Sequence, residues 1–227
     1  MKVQHILLSL ALALVVWMPT QAQNNHDALR DSLAKAADAL AYHPNSIDLR
    51  LRKAAWNVEL EQWQYALDEY DRVLAQDHRN IAALFYRAFV NQQLHRYNFA
   101  RIDYEQLLQI LPGNFEARLG LALLNQKDKH HTEALDGINQ LVVACPDSAV
   151  AWAARAGIEE ELGMLDPAEY DYGRAIELDP GNGDYLLARA DIRIRLGRLD
   201  KAKQDLDALV AQGTPRQALK EWYEKCK

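Results

Sequence analysis

Apolar residues recur along this chain three and four places apart, the spacing of one face of an α-helix, and the pattern itself returns every 34 residues from Ile47 without insertion or deletion. The copies open at Ile47, Ile81, Phe115, Ala149 and Gly183. Alanine fills the eighth place of every copy (Ala54, Ala88, Ala122, Ala156, Ala190) and the twentieth (Ala66, Ala100, Ala134, Ala168, Ala202). Small residues at these two places predict two antiparallel helices per copy whose backbones approach closely where the alanines meet. Larger apolar columns flank them: Trp56, Val90, Leu124, Ile158 and Ile192 on the first helix, and Val73, Leu107, Leu141, Ala175 and Leu209 on the second.

The polar punctuation agrees with that frame. Pro112, Pro146 and Pro180 share one column just past the second helix, which a proline cannot extend. Two places later Asn80, Asn114, Ser148 and Asn182 are suited to cap the next first helix. Gly163 and Gly197 mark the turn between the helices of the last two copies.

A helical pair of this period, with small eighth and twentieth residues and a late proline, resembles the tetratricopeptide repeat. The fourth copy matches best, with Trp152, Ala156, Gly163, Ala168, Tyr172, Ala175 and Pro180 in pattern. The eleventh place departs from the family's tyrosine, holding Asn57, Asn91, Asn125, Glu159 and Arg193, and Thr214 stands where the fifth copy would carry proline. The resemblance implies an all-α fold: a right-handed superhelical α-solenoid of antiparallel helix pairs, with repeats over 47–80, 81–114, 115–148, 149–182 and 183–216. An N-terminal capping helix is expected within 23–46, where Leu29, Leu33, Ala36, Ala39 and Leu40 keep helical spacing. A C-terminal one is expected over 217–227, with Leu219, Trp222, Tyr223 and Cys226 on one stripe.

The seventh and twenty-third places vary together: Lys53 with Glu69, Arg87 with Asp103, Arg155 with Asp171, Arg189 with Asp205, but Leu121 with Gly137. Where the base is lost, so is the acid. This predicts a partly buried ion pair between the two helices of every copy except the third.

Residues 1–22 read as a signal peptide. A lysine near the start precedes an apolar run from Ile6 to Met18 that is too short to span a bilayer, and Thr20 and Ala22 flank Gln21 as a cleavage site. Export to the periplasm, or secretion, is expected after cleavage near Ala22, with no stable membrane span afterwards. Cys145 and Cys226 are expected to stay unpaired: four helices separate them, at roughly 8–10 Å per neighbouring axis against a Cα limit of about 7 Å for a disulfide.

The formal net charge of -6 lacks the basic footprint of a nucleic-acid binder. Phosphate-loop, nucleophile-elbow and metal-ligand spacings are missing, and the adjacent His130 and His131 belong to a solvated turn, so neither catalysis nor a cofactor is expected. Function is expected on the concave wall that the resemblance assigns to the first helices. Leu51, Phe85, Phe89, Gln92, Leu119, Leu123, Gln126 and Asp191 are the candidate contact residues for another protein or peptide with an apolar or amphipathic segment. The Lys/Arg and Asn set of the family's carboxylate clamp is missing from that wall, so an acidic C-terminal tail is not the expected guest. A structural subunit held through the convex face or the C-terminal helix is the alternative.

Overall fold

The computed structural model describes residues 19–227; the apolar run 6–18 expected to act as a leader lies outside the described residues. Helix α1, Pro19–Tyr42, starts ahead of the stretch 23–46 expected to hold the capping helix. The first helices of the five copies are α2 (Ile47–Glu59), α4 (Ile81–Gln93), α6 (Phe115–Lys127), α8 (Ala149–Glu161) and α10 (Gly183–Arg195). Their partners are α3 (Trp63–Gln76), α5 (Tyr97–Ile110), α7 (His131–Ala144), α9 (Leu165–Leu178) and α11 (Leu199–Ala211), followed by a 3-10 turn over Arg216–Leu219 and α12, Lys220–Lys225. The described residues contain no strand. They form two compact units, one ending at Ile110 and holding α1 to α5, the other Leu111–Lys227 with α6 to α12.

Each first helix begins at the residue that opens its copy because the preceding side chain caps it. Ser46, Asn80, Asn114 and Ser148 have extended backbones, and their side chains accept from the N–H groups of Leu49, Ala83, Ala117 and Ala151 at 2.7–3.3 Å. Asn182 accepts from Asp184 N–H at 3.1 Å. Each cap satisfies an orphan donor and contributes about 1 kcal/mol.

Second helices have no such cap at Gln62, His130, Met164 and Arg198. Their entry is set by how the first helix ends. In every copy the N–H of the sixteenth residue reaches back to the eleventh carbonyl, as in Gln62 to Asn57 at 2.8 Å and Arg198 to Arg193 at 2.7 Å. This closure requires a left-handed residue at the fifteenth place. Gly163 and Gly197 supply it at φ 76° and 71°, whereas Glu61, His95 and Lys129 adopt it at φ 54°, 57° and 64° with a Cβ in the way. Glu61→Gly, His95→Gly and Lys129→Gly are each expected to raise stability by up to about 1 kcal/mol, read as a higher denaturation midpoint at unchanged helicity.

All ten alanines of the eighth and twentieth columns are at most 1 % exposed. At that depth a longer side chain would separate the helices at a cost of roughly 1–3 kcal/mol. The flanking columns are buried with them, apart from a half-buried Trp56. At the C-terminal end Leu219 is buried with Leu186 and Leu206, and Trp222, Tyr223 and Cys226 pack on that cluster. Cys145 and Cys226 are both free thiols.

The covarying charges meet as expected from their columns. Arg87 Nε and Nη2 donate to Asp103 at 3.0 and 2.6 Å, Arg155 to Asp171 at 2.5 and 2.8 Å, and Arg189 to Asp205 at 3.1 and 2.6 Å. Lys53 Nζ donates to Glu69 at 2.8 Å, and Arg50 takes the second Glu69 oxygen at the same distance. The four carboxylates are only 2–6 % exposed, while their bases are 18–26 % exposed. The residues at the irregular eleventh place turn out to face these pairs. Asn91 Nδ2 donates to Asp103 at 3.4 Å, Arg193 donates to Asp205 at 2.7 Å, and Glu159 lies 3.9 Å from Arg155.

Removing one member of a buried pair strands the other. Arg87→Leu and Asp103→Ala are each expected to cost about 3–5 kcal/mol, and the double variant clearly less than their sum, in denaturant unfolding. Additive losses would mean that the two side chains are energetically independent.

Glu159 behaves differently from the paired acids. Burial, and then the negative charge of Asp171, push its pKa up to about 7, with Arg155 only partly opposing. Folding therefore takes up a proton between the ordinary value of 4.5 and about 7, and stability falls as pH rises through that window. The loss is on the order of 1–3 kcal/mol, and Glu159→Gln is expected to remove it. The melting temperature of the variant should overtake that of the parent between pH 5 and pH 8, with the two converging on the acid side.

Candidate partner-binding surface

The expected wall residues stand on the exposed side of the first helices, and each unit presents a different surface. In the N-terminal unit Leu51, Phe85, Phe89 and Gln92 are all half-buried. Phe85 meets Tyr104 edge-on at 6.0 Å between ring centroids, and Phe89 meets Trp63 at 6.2 Å. Tyr86, at the sixth place, stacks on Tyr70 at 6.1 Å. These ring contacts tie first helices to second ones.

In the C-terminal unit, Leu119 and Leu123 of α6 come together with Val150 and Ala153 of α8 in a depression of about 380 Å³. Tyr172 and Tyr185 add hydroxyl groups, and Asp184 is the one charged residue lining it. Its floor is open because the sixth place, filled by Tyr86 in the second copy, holds Gly120, Ala154 and Ala188 in the next three. Gly157 at the ninth place lies beside the Tyr172 hydroxyl, where an added Cβ would make only an ordinary contact at 3.7 Å. Leu123 and Val150 are 36 % and 48 % exposed, whereas Leu119 leans on the core around Ala122 and Ile138.

Gln126 and Asp191 do not line the depression. Gln126 Nε2 donates to Glu161 at 2.6 Å, and Lys129 Nζ reaches the same carboxylate at 2.5 Å. Hydrogen bonds from Lys129 and Gln126 hold Glu161 below the usual carboxylate range. Asp191 lies 3.6 Å from Arg195, which donates to Glu160 at 2.5 Å. Both wall residues thus serve ties within or between neighbouring copies. Sequence reasoning missed Tyr172 and Tyr185; the run of small sixth-place residues opposite a twenty-fourth-place tyrosine was the available signal.

On the second helices of the N-terminal unit, Phe99 and Ile102 are 61 % and 56 % exposed and, with Leu67 and Arg96, edge a depression of about 270 Å³ over the Arg87–Asp103 pair. His131 opens α7 half-buried, its Nδ1 without a hydrogen-bond partner, and His130 lies 3.4 Å from Asp128. Among the described residues no group of three or more His, Cys, Asp or Glu could hold a metal ion, and no helix is long and apolar enough to cross a membrane.

Solved structures with this arrangement are tetratricopeptide-repeat proteins. A tetratricopeptide repeat protein from Parabacteroides merdae superposes with a TM-score of 0.70 at 22 % identity, over 90 % of this chain and 80 % of its own. The chain has the tetratricopeptide-repeat fold. YrrB, described as a TPR protein with an unusual peptide-binding site, matches at 0.57 and 20 % identity over 78 % of this chain and 92 % of its own. MamA from Desulfovibrio magneticus matches at 0.60 and 17 % identity over 73 % and 92 %. No family model and no curated protein matches the sequence.

Proposed function

We propose that this protein is a non-catalytic scaffold, exported to the periplasm, that docks a segment of another protein on the wall formed by its first helices. The observation that carries this reading is the apolar depression of the C-terminal unit, whose volume suits one or two large side chains and whose rim residues Leu123 and Val150 are open to solvent. YrrB, which shares the fold, has a peptide-binding site by its description. The apolar run before Pro19 supports export.

A second reading is a structural subunit of an envelope assembly held through the second helices, and the exposure of Phe99 and Ile102 favours it. The two are separated by crosslinking the protein in its own envelope, identifying the captured partner and repeating the capture with variants. Leu123→Glu with Val150→Glu is expected to lower partner affinity at least about tenfold with an unchanged circular-dichroism spectrum. Leu119 is unsuited to this test, because a charge there would disturb the core. Retained capture in that variant, lost instead in Phe99→Ser with Ile102→Ser, would transfer the function to the second helices.

A further inference from the structure

The charges around the depression define the chemistry of the guest. On the second, fifth, ninth and twelfth places of the first helices in the C-terminal unit there are four carboxylates, Glu116, Glu160, Asp184 and Asp191, and no base. Arg195 compensates two of them, with its guanidinium 2.5 Å from Glu160 and 3.6 Å from Asp191. Asp184, which lines the depression, and Glu116, one turn before Leu119 on α6, have no ion pair among the described residues. The nearest base in sequence, Arg118, turns away, its Nε donating to the Pro112 carbonyl at 2.8 Å. Glu116 and Asp184 are both exposed, whereas most buried acids of the unit are matched: Asp171, Asp205 and Glu169 all accept from Arg. Position in the first turns of α6 and α10 makes Glu116 and Asp184 tolerable, since helix N-termini favour negative charge, but it leaves their outward field in place. Of the two hydroxyls facing the depression, that of Tyr185 is raised by burial, then by Asp179 and last by Asp184, while that of Tyr172 is pushed up to about 12 by burial and then by Glu160.

We infer that the depression on α6, α8 and α10 selects a cationic amphipathic segment of a partner protein, its aliphatic side chains entering between Leu123, Val150 and Ala153 and its Lys or Arg side chains meeting Asp184 and Glu116. This rests on the docking reading above and adds the charge of the guest. It is the inverse of a carboxylate-binding wall. The unneutralised acids lower the affinity of any acidic segment with the same apolar face, so they discriminate between partners as well as attract one.

Two fluorescein-labelled peptides of about 18 residues, with leucines at the same places and either lysine or glutamate at every polar one, test this by fluorescence anisotropy. The lysine peptide is expected to bind at least about tenfold more tightly at low ionic strength, with the preference shrinking toward unity in about 0.5 M NaCl. Glu116→Gln with Asp184→Asn should lose most of the preference. Asp136→Asn with Asp200→Asn, which removes two exposed charges from the second helices, should keep it. Ala153→Trp, filling the depression, should weaken the lysine peptide. Equal binding of both peptides, abolished by Ala153→Trp, would overturn the charge selection while leaving docking intact. Binding of the lysine peptide that survives both Ala153→Trp and the Glu116/Asp184 variant would overturn the selection and the docking site together.

Discussion

The close approach of two helices at a pair of alanines is the constraint from which the rest of this structure follows. With no side chain beyond Cβ at the eighth and twentieth places, the helices of each copy meet at complete burial, and the larger columns on either side are buried with them. That spacing also dictates where charge can be placed. The seventh and twenty-third places flank the alanine contact, so a base and an acid there fall within hydrogen-bond reach and are desolvated together. An acid so enclosed cannot stand alone, which explains why the third copy has lost both members, as Leu121 and Gly137.

The eleventh place shows how a local departure becomes intelligible once the packing is known. The carboxylate of the twenty-third place is buried beside it. Asn91 and Arg193 add donors to that carboxylate, whereas Glu159 adds a third charge to an existing pair and is held largely protonated below neutral pH. In the first copy both oxygens of Glu69 are occupied by Lys53 and Arg50, and Asn57 Nδ2 is left without a partner. Glu69 is pushed up by burial, but the hydrogen bonds from those two bases outweigh it and its pKa lies below the ordinary value. One column thus carries several solutions to a single electrostatic problem.

Function depends on what the repeat leaves unfilled. The fold hosts many partners, and discrimination has to come from side chains that the packing does not require. Sixth-place glycine and alanines in the later copies open a depression that a tyrosine closes in the second copy. Asp184, which lines it, and Glu116 on α6 are exposed and lie outside the packing that fixes Asp171 and Asp205. The aromatic wall of the N-terminal unit, by contrast, is largely committed to holding its own helices together.

The period, the starts of the first helices, the alanine contacts and the four ion pairs were legible in the sequence, because each is a local or columnar rule repeated often enough to stand out: a capping side chain, a side chain too small to keep helices apart, a base that never appears without its acid. The left-handed residues were legible only where they are glycine; Glu61, His95 and Lys129 give no local sign of the backbone they adopt, which is imposed by the closure of the first helix on the second. The wall residues divided in the same way. Their columns could be read from the repeat, but only the tertiary structure separated Leu123 and Val150, which face solvent, from Leu119, which leans on the core, and from Gln126 and Asp191, which are held by neighbouring side chains. A column specifies which way a residue points from its own helix; what stands opposite depends on residues one or two copies away, and only the packed array brings those together.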